Sequence, residues 1–147
     1  GNLGIHPDDY SLNQFGSTYI DNRVIQQKGL LIAGLGGSLR YNHGENQFSD
    51  FQMRLKMLRL IPGMVFNRLF RGRYLDILLT HAAPFGINDK DDPCHRGFKS
   101  FLWFMKTFKP KYLLHGHIHL YSNNEGREAH FHQTSVINVY DHFILDI

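Results

Sequence analysis

Cysteine is almost absent from this 147-residue chain. Cys94 is the single copy, so no internal disulfide can form, and a reducing compartment, the cytoplasm, is the expected setting. Long hydrophobic runs are missing as well. None approaches the ~20 apolar residues of a membrane span, and no membrane partner is expected. The first residues show no signal-peptide pattern. There are no internal repeats, low-complexity segments or linkers, so residues 1–147 read as a single domain. The glycine-rich stretch GLGGSLRYNHGENQ lacks both the GK[ST] ending of a P-loop and the GxGxxG spacing of a dinucleotide fold, which excludes both.

What is present is ordinary core material and an unusual number of histidines. Apolar residues make up 42% and charged residues 20% of the chain, the balance of a folded globular protein. Twelve Phe and seven Tyr supply large, rigid side chains. The net charge of +3 favours anionic partners, among them phosphate esters and nucleic acids. Ten histidines matter only through where they fall.

Along the chain, residues 1–17 read as loop. TYIDNRVIQQKGLLIAGLGG reads as two or three short strands, with Lys28-Gly29 as the turn between Val24-Ile25 and Leu30-Leu31-Ile32. Ser49 and Gln52 have capping-box spacing, so a helix starts at Ser49. Phe51, Leu55 and Leu58 share one of its faces, Arg54, Lys56 and Arg59 lie largely elsewhere, and Pro62-Gly63 interrupts it. LDILLTHAAP is a buried strand feeding a loop, and GINDKDDPCHRG a polar loop rich in carboxylates. FKSFLWFMKTF carries Phe98, Phe101, Leu102 and Met105 at helical spacing, and Pro110 confines its end. KYLL is a further buried strand, and SVINVYDHFILDI reads as a hairpin bending at Tyr140-Asp141. Helices interspersed with buried strands predict an α/β layered domain.

KYLLHGHIHLY places His115, His117 and His119 at every second position. In an extended segment such residues point the same way, about 6.5–7 Å apart. His117 and His119 then project together while Ile118 turns into the core, and their imidazoles can converge on neighbouring ions of a hydrolytic metal pair. Gly116 removes a side chain where backbone passes close to the site. His115 also points inward, with ligation and a supporting hydrogen bond equally open to it. His81 ends another buried strand, and in open α/β sheets ligands gather beyond the carboxyl ends of strands. The alternative is a surface group of chelating histidines.

The order GN, LLTHAAP, LLHGHIH, from Gly1-Asn2 to the C-terminal stretch, resembles the calcineurin-like metallophosphoesterases. That resemblance implies a four-layer αββα sandwich with mixed sheets. It also implies two divalent ions (Mn, Zn, Fe or Mg) that hold a phosphate-ester substrate and generate a bridging hydroxide for in-line attack. By resemblance, Asn2, His81 and His117 are ligands of one ion and His119 of the other. Two departures stand out. The family's Asp-x-His and Gly-Asp motifs are both absent from the sequence, so the chain reads as the C-terminal portion of a longer domain with N-terminal strands missing, inactive by itself. Many members also carry a leaving-group histidine directly after the Asn. Leu3 stands there, and His6 is the nearest substitute, with plain loop as its competing reading.

Arg40, Asp92, His95 and Arg96 are candidates for lining the substrate pocket; solvated loop and surface charge are the competing readings. Cys94 reads as too isolated to be a ligand, and His130, His132 and His142 as surface or structural residues. The basic helix 49–60 reads as a solvated face; without interleaved aromatics a nucleic-acid role is not expected of it. The expected function is hydrolysis of a phosphomonoester or phosphodiester. The alternative is a non-catalytic metal- or nucleic-acid-binding module, or a degenerate family member. Absent strands would uncover apolar faces and edges, so the isolated chain is expected to self-associate.

Overall fold

Lys28 and Gly29 both take positive φ, 49° and 80°. This mirror-image turn matches the twist of two antiparallel strands, and it closes a hairpin between β1 (Val24–Gln27) and β2 (Leu30–Leu35). The computed structural model describes residues 18–120, 126–141 and 143–147. Asn2, His6 and His142 lie outside them.

The main sheet has six strands in the order β1-β2-β5-β6-β8-β7, where β5 is Ile77–Thr80, β6 Tyr112–His115, β7 Glu128–Phe131 and β8 Thr134–Asn138. The four central strands run parallel, and an antiparallel hairpin borders each edge. Ala33, Leu78, Leu113 and Val136 lie in one register row across those strands and are fully buried. They pack against Met53, Met57, Met64, Phe101, Phe104 and Phe108 from α1 (Asp50–Leu58), α2 (Ile61–Arg71) and α3 (Lys99–Phe108). One residue along, the row Gly34, Leu79, Leu114 and Ile137 faces the other way. This second face is apolar but less covered: Leu79 is 37% exposed, and Ile32 and Leu114 are half-buried.

The helix at Ser49 forms as expected. Ser49 Oγ accepts from the Gln52 amide at 3.1 Å, while Gln52 Oε1 accepts from the Ser49 amide at 2.9 Å. Ser49→Ala should therefore cost about 1 kcal/mol, read as a lower urea midpoint with an unchanged slope.

Four readings of the sequence are sharpened or corrected. First, the face shared by Phe51, Leu55 and Leu58 is the exposed one; α1 buries Met53 and Met57 instead, with Leu60 just beyond its end. Second, Pro62-Gly63 marks a start rather than only an interruption. Proline in a first turn has no amide to lose, so α2 runs over Ile61–Arg71, and Gly72, with a φ of 79°, caps its end. Third, the bend near the C-terminus is His132-Gln133, between β7 and β8. Residues 143–147 carry no strand; β8 is occupied on its other side by β6. Fourth, the glycine-rich loop contains two short parallel strands, β3 (Ser38–Leu39) and β4 (Gln47–Phe48).

At the second expected helix, Phe98, Phe101 and Met105 are buried and Lys109, φ 51°, caps the end before Pro110. Its N-terminus has no cap of its own. The Asp50 carboxylate on α1 accepts from the Ser100 amide at 2.9 Å and fills that role.

Candidate metal centre

Adjacent parallel strands bring their carboxyl ends together. β5 hands over to His81, whose amide donates to Leu35 O at 3.2 Å, and the Gly116 amide donates to His81 O at 3.2 Å. His81 and the 115–119 segment are thus tied to each other and to β2.

The strand stops at His115, so the expected extended run through His119 is a correction. Ile118 N donates to Gly116 O at 2.7 Å, and His117 between them has φ 65°. A three-residue turn centred on a positive φ is rare and strained. Such strain, of order 1–3 kcal/mol, persists where surrounding contacts over-determine the position. Here Ile118 is buried as expected, and the buried Asn138 donates its Nδ2 hydrogen to Ile118 O at 2.9 Å. The turn re-aims His117 across to the end of β5.

There His81 Nε2 and His117 Nδ1 lie 3.0 Å apart, with ring centroids at 4.7 Å. His117 Nε2 is 2.7 Å from Cys94 O. A carbonyl only accepts, so Nε2 carries the hydrogen and the lone pair of neutral His117 is on Nδ1. His81 Nε2–H donates to that lone pair, or both nitrogens turn lone pairs to a shared cation. The Cys94 carbonyl thereby does what an outer partner does for a ligating histidine: it fixes tautomer and ring orientation. Two nitrogens 3.0 Å apart fit one ion at ~2.0–2.1 Å from each, with an angle of about 90°. Burial, and then the neighbouring His117, push the His81 pKa down, which favours the neutral, ligating form.

A third imidazole stands beside this pair. The His95 ring lies 5.1 Å from the His117 ring. His95 Nδ1 is 2.7 Å from Asp92 Oδ1, and Cys94 Sγ is 2.8 Å from the same oxygen. Hydrogen bonds from Cys94, and then His95, hold the Asp92 pKa at about 2. Cys94 is therefore not isolated: with Asp92 and His95 it offers three ligand atoms within 4.8 Å of one another. The sequence signal was the spacing D-x-C-H inside one loop; the contact of that loop with His117 is tertiary and left no local trace.

The other expected residues divide. His115 points inward and is fully buried; its Nε2 has no hydrogen-bond partner, and Nδ1 is 3.1 Å from Gly116 O. Burial pushes its pKa down to about 4, so it is a neutral core residue. His119 is exposed and stacks on Tyr140 with centroids 4.5 Å apart. Arg40 donates to Gln52 Oε1 at 3.0 Å, beside the α1 N-terminus. Arg96 donates to Asp91 O at 3.1 Å and lines a cleft of about 470 Å³ with Phe85, Asp89 and Lys99. A separate cleft of about 360 Å³ opens beside His81, lined by Tyr19, Asp21, Leu35 and Thr80.

No family model and no curated protein matches the chain. Among solved structures it is similar to TT1561 of Thermus thermophilus, with a TM-score of 0.54 and 16% identity over 83% of this chain and 49% of that one. A second crystal structure gives a TM-score of 0.54 and 16% identity over 82% and 45%. The likeness is one of fold, and the chain spans about half the length of these structures: it is an α/β protein, and its described residues form a mixed six-stranded sheet and three helices.

Proposed function

We propose that the chain is part of a metal-dependent phosphoesterase, with its sheet as one half of a four-layer αββα sandwich. The observation that carries the reading is the 3.0 Å approach of His81 Nε2 and His117 Nδ1 at the carboxyl ends of adjacent parallel strands. The lone pair of His117 is aimed by its bond to Cys94 O. The less covered apolar face of the sheet supports the sandwich, because a second layer would bury it.

In this reading His81 and His117 hold one divalent ion. Such an ion neutralises charge on a phosphoryl group and lowers the pKa of a bound water. The chain's own residues do the rest. Cys94 O keeps His117 in the ligating tautomer. Asp92 orients His95 and holds its Nδ1 hydrogen, leaving Nε2 to the substrate side.

The test assays the longest natural form of the protein, loaded with manganese, on p-nitrophenyl phosphate and bis-p-nitrophenyl phosphate. Hydrolysis is expected, falling at least ~100-fold in His81→Ala and His117→Ala by loss of the ion's catalytic contribution. A protein that binds the ion yet hydrolyses neither ester is the non-catalytic binding module instead. Hydrolysis that survives both substitutions places the chemistry elsewhere.

A further inference from the structure

The stripe that sequence periodicity assigned to α1 has its counterpart on α2. Pro62, Val65, Phe66, Leu69 and Phe70 follow the i, i+3, i+4, i+7, i+8 spacing of a single helix face. That face is opposite the buried Met64 and Asn67. Leu69 is 74% and Phe70 73% exposed, and Phe51 on α1 is 68% exposed. α2 is thus apolar on both sides: it buries Met64 beside an asparagine bonded to Tyr74 O at 3.1 Å, and it shows leucine and phenylalanine to solvent. Large exposed apolar surface of this kind marks an interaction site.

Charge decides the occupant. From Phe51 to Leu75 the chain has six Lys and Arg and no Asp or Glu. Lys56 is paired with Asp21 and Arg73 with Asp76. Arg54, Arg59, Arg68 and Arg71 have no carboxylate partner among the described residues. Arg68 and Arg71 are held at the flank of α2, by Gly72 O at 2.9 Å and by Asn67 Oδ1 at 2.7 Å. A second copy of the chain would bring the same uncompensated cations against these. Nucleic acid would pair with the arginines but leave the exposed Leu69 and Phe70 without an apolar partner. An anionic bilayer surface suits both layers: apolar side chains sink about 5–10 Å into the headgroup and acyl boundary, and flanking arginines stay among the lipid phosphates.

We propose that the outer faces of α1 and α2 form a docking surface for anionic lipid membranes. No described helix is long and apolar enough to cross a membrane, so the contact is peripheral. The expectation of no membrane partner rested on the lack of a span, which surface binding does not need. This inference is independent of the phosphoesterase reading.

The experiment is vesicle sedimentation of the chain with phosphatidylcholine alone and with phosphatidylglycerol added. Binding is expected to the anionic vesicles only, and to fall as salt rises. Leu69→Ser with Phe70→Ser should weaken it by about tenfold or more through lost apolar burial. Arg54→Gln and Arg59→Gln should each weaken it about fivefold. Phe51→Ser, on the other helix, gives an independent arm should the α2 variant lose its helical circular dichroism. Protein left in the supernatant at every composition overturns the proposal. So does equal binding to neutral vesicles, or binding indifferent to all of these substitutions. Self-association in solution that Leu69→Ser with Phe70→Ser abolishes would make a second copy the occupant, and also overturns it.

Discussion

Replacing His117 with alanine is expected to lower the affinity of the chain for zinc or manganese by more than tenfold, and replacing His81 to do the same. Each supplies one of two nitrogens 3.0 Å apart, and losing even an outer partner of a ligating group costs ~10–100-fold. His119→Ala should cost less, since its ring stacks on Tyr140. Isothermal titration of the three variants, compared by circular dichroism for intact fold, checks the order. Equal losses across the three, or two tight sites in the parent chain, would contradict a single centre built on the His81–His117 pair. Protons compete with metal for imidazole. Burial depresses the His81 pKa, so competition at this residue begins below the ordinary histidine range.

Acid is expected to destabilise the metal-free chain through His115. Its pKa is about 4 in the folded protein against the ordinary 6.5. Above pH 6.5 the group is neutral in both folded and unfolded chains and stability is unaffected. As pH falls from 6.5 to 4 the unfolded chain takes up a proton that the folded chain refuses, so stability falls. Below 4 both are protonated and the loss is complete. It amounts to about 3 kcal/mol at ~1.4 kcal/mol per pKa unit, a large share of the ~5–15 kcal/mol typical of a domain. Urea unfolding across pH 7 to 4, with a chelator present, should show this slope in the parent chain and a shallower one in His115→Leu. Identical slopes would mean that the buried imidazole does not govern acid stability.

Local chemistry was legible in the sequence, and tertiary choice was not. The Lys28-Gly29 turn and the Ser49–Gln52 capping box involve residues a few positions apart, so spacing alone specifies them. On α1 periodicity reveals two apolar stripes but not which the sheet claims; Met53 and Met57 win because α3 and the sheet lie on that side. Pro62 read as a breaker because it both ends one helix and opens the next. At the candidate centre, His81 and His117 were legible as strand-end histidines. The strained turn that aims His117 was not, because the alternation of HGHIH predicts a straight strand. Nor was the contribution of Cys94, which acts through its backbone oxygen as well as its thiol.

The central strands of the sheet are all parallel, while each edge is a hairpin. Hairpins form in about 1–10 μs from neighbouring residues, whereas parallel pairing must first close a long crossover. The two edges, β1–β2 and β7–β8, can therefore take shape early, and the joins β2–β5, β5–β6 and β6–β8 come later. His81 and His117 belong to those late joins. An assembly intermediate holding only the edges would have no paired imidazoles. At the proposed metal site, an ion would therefore be bound only once the parallel strands have joined, and would stabilise the finished fold rather than template it.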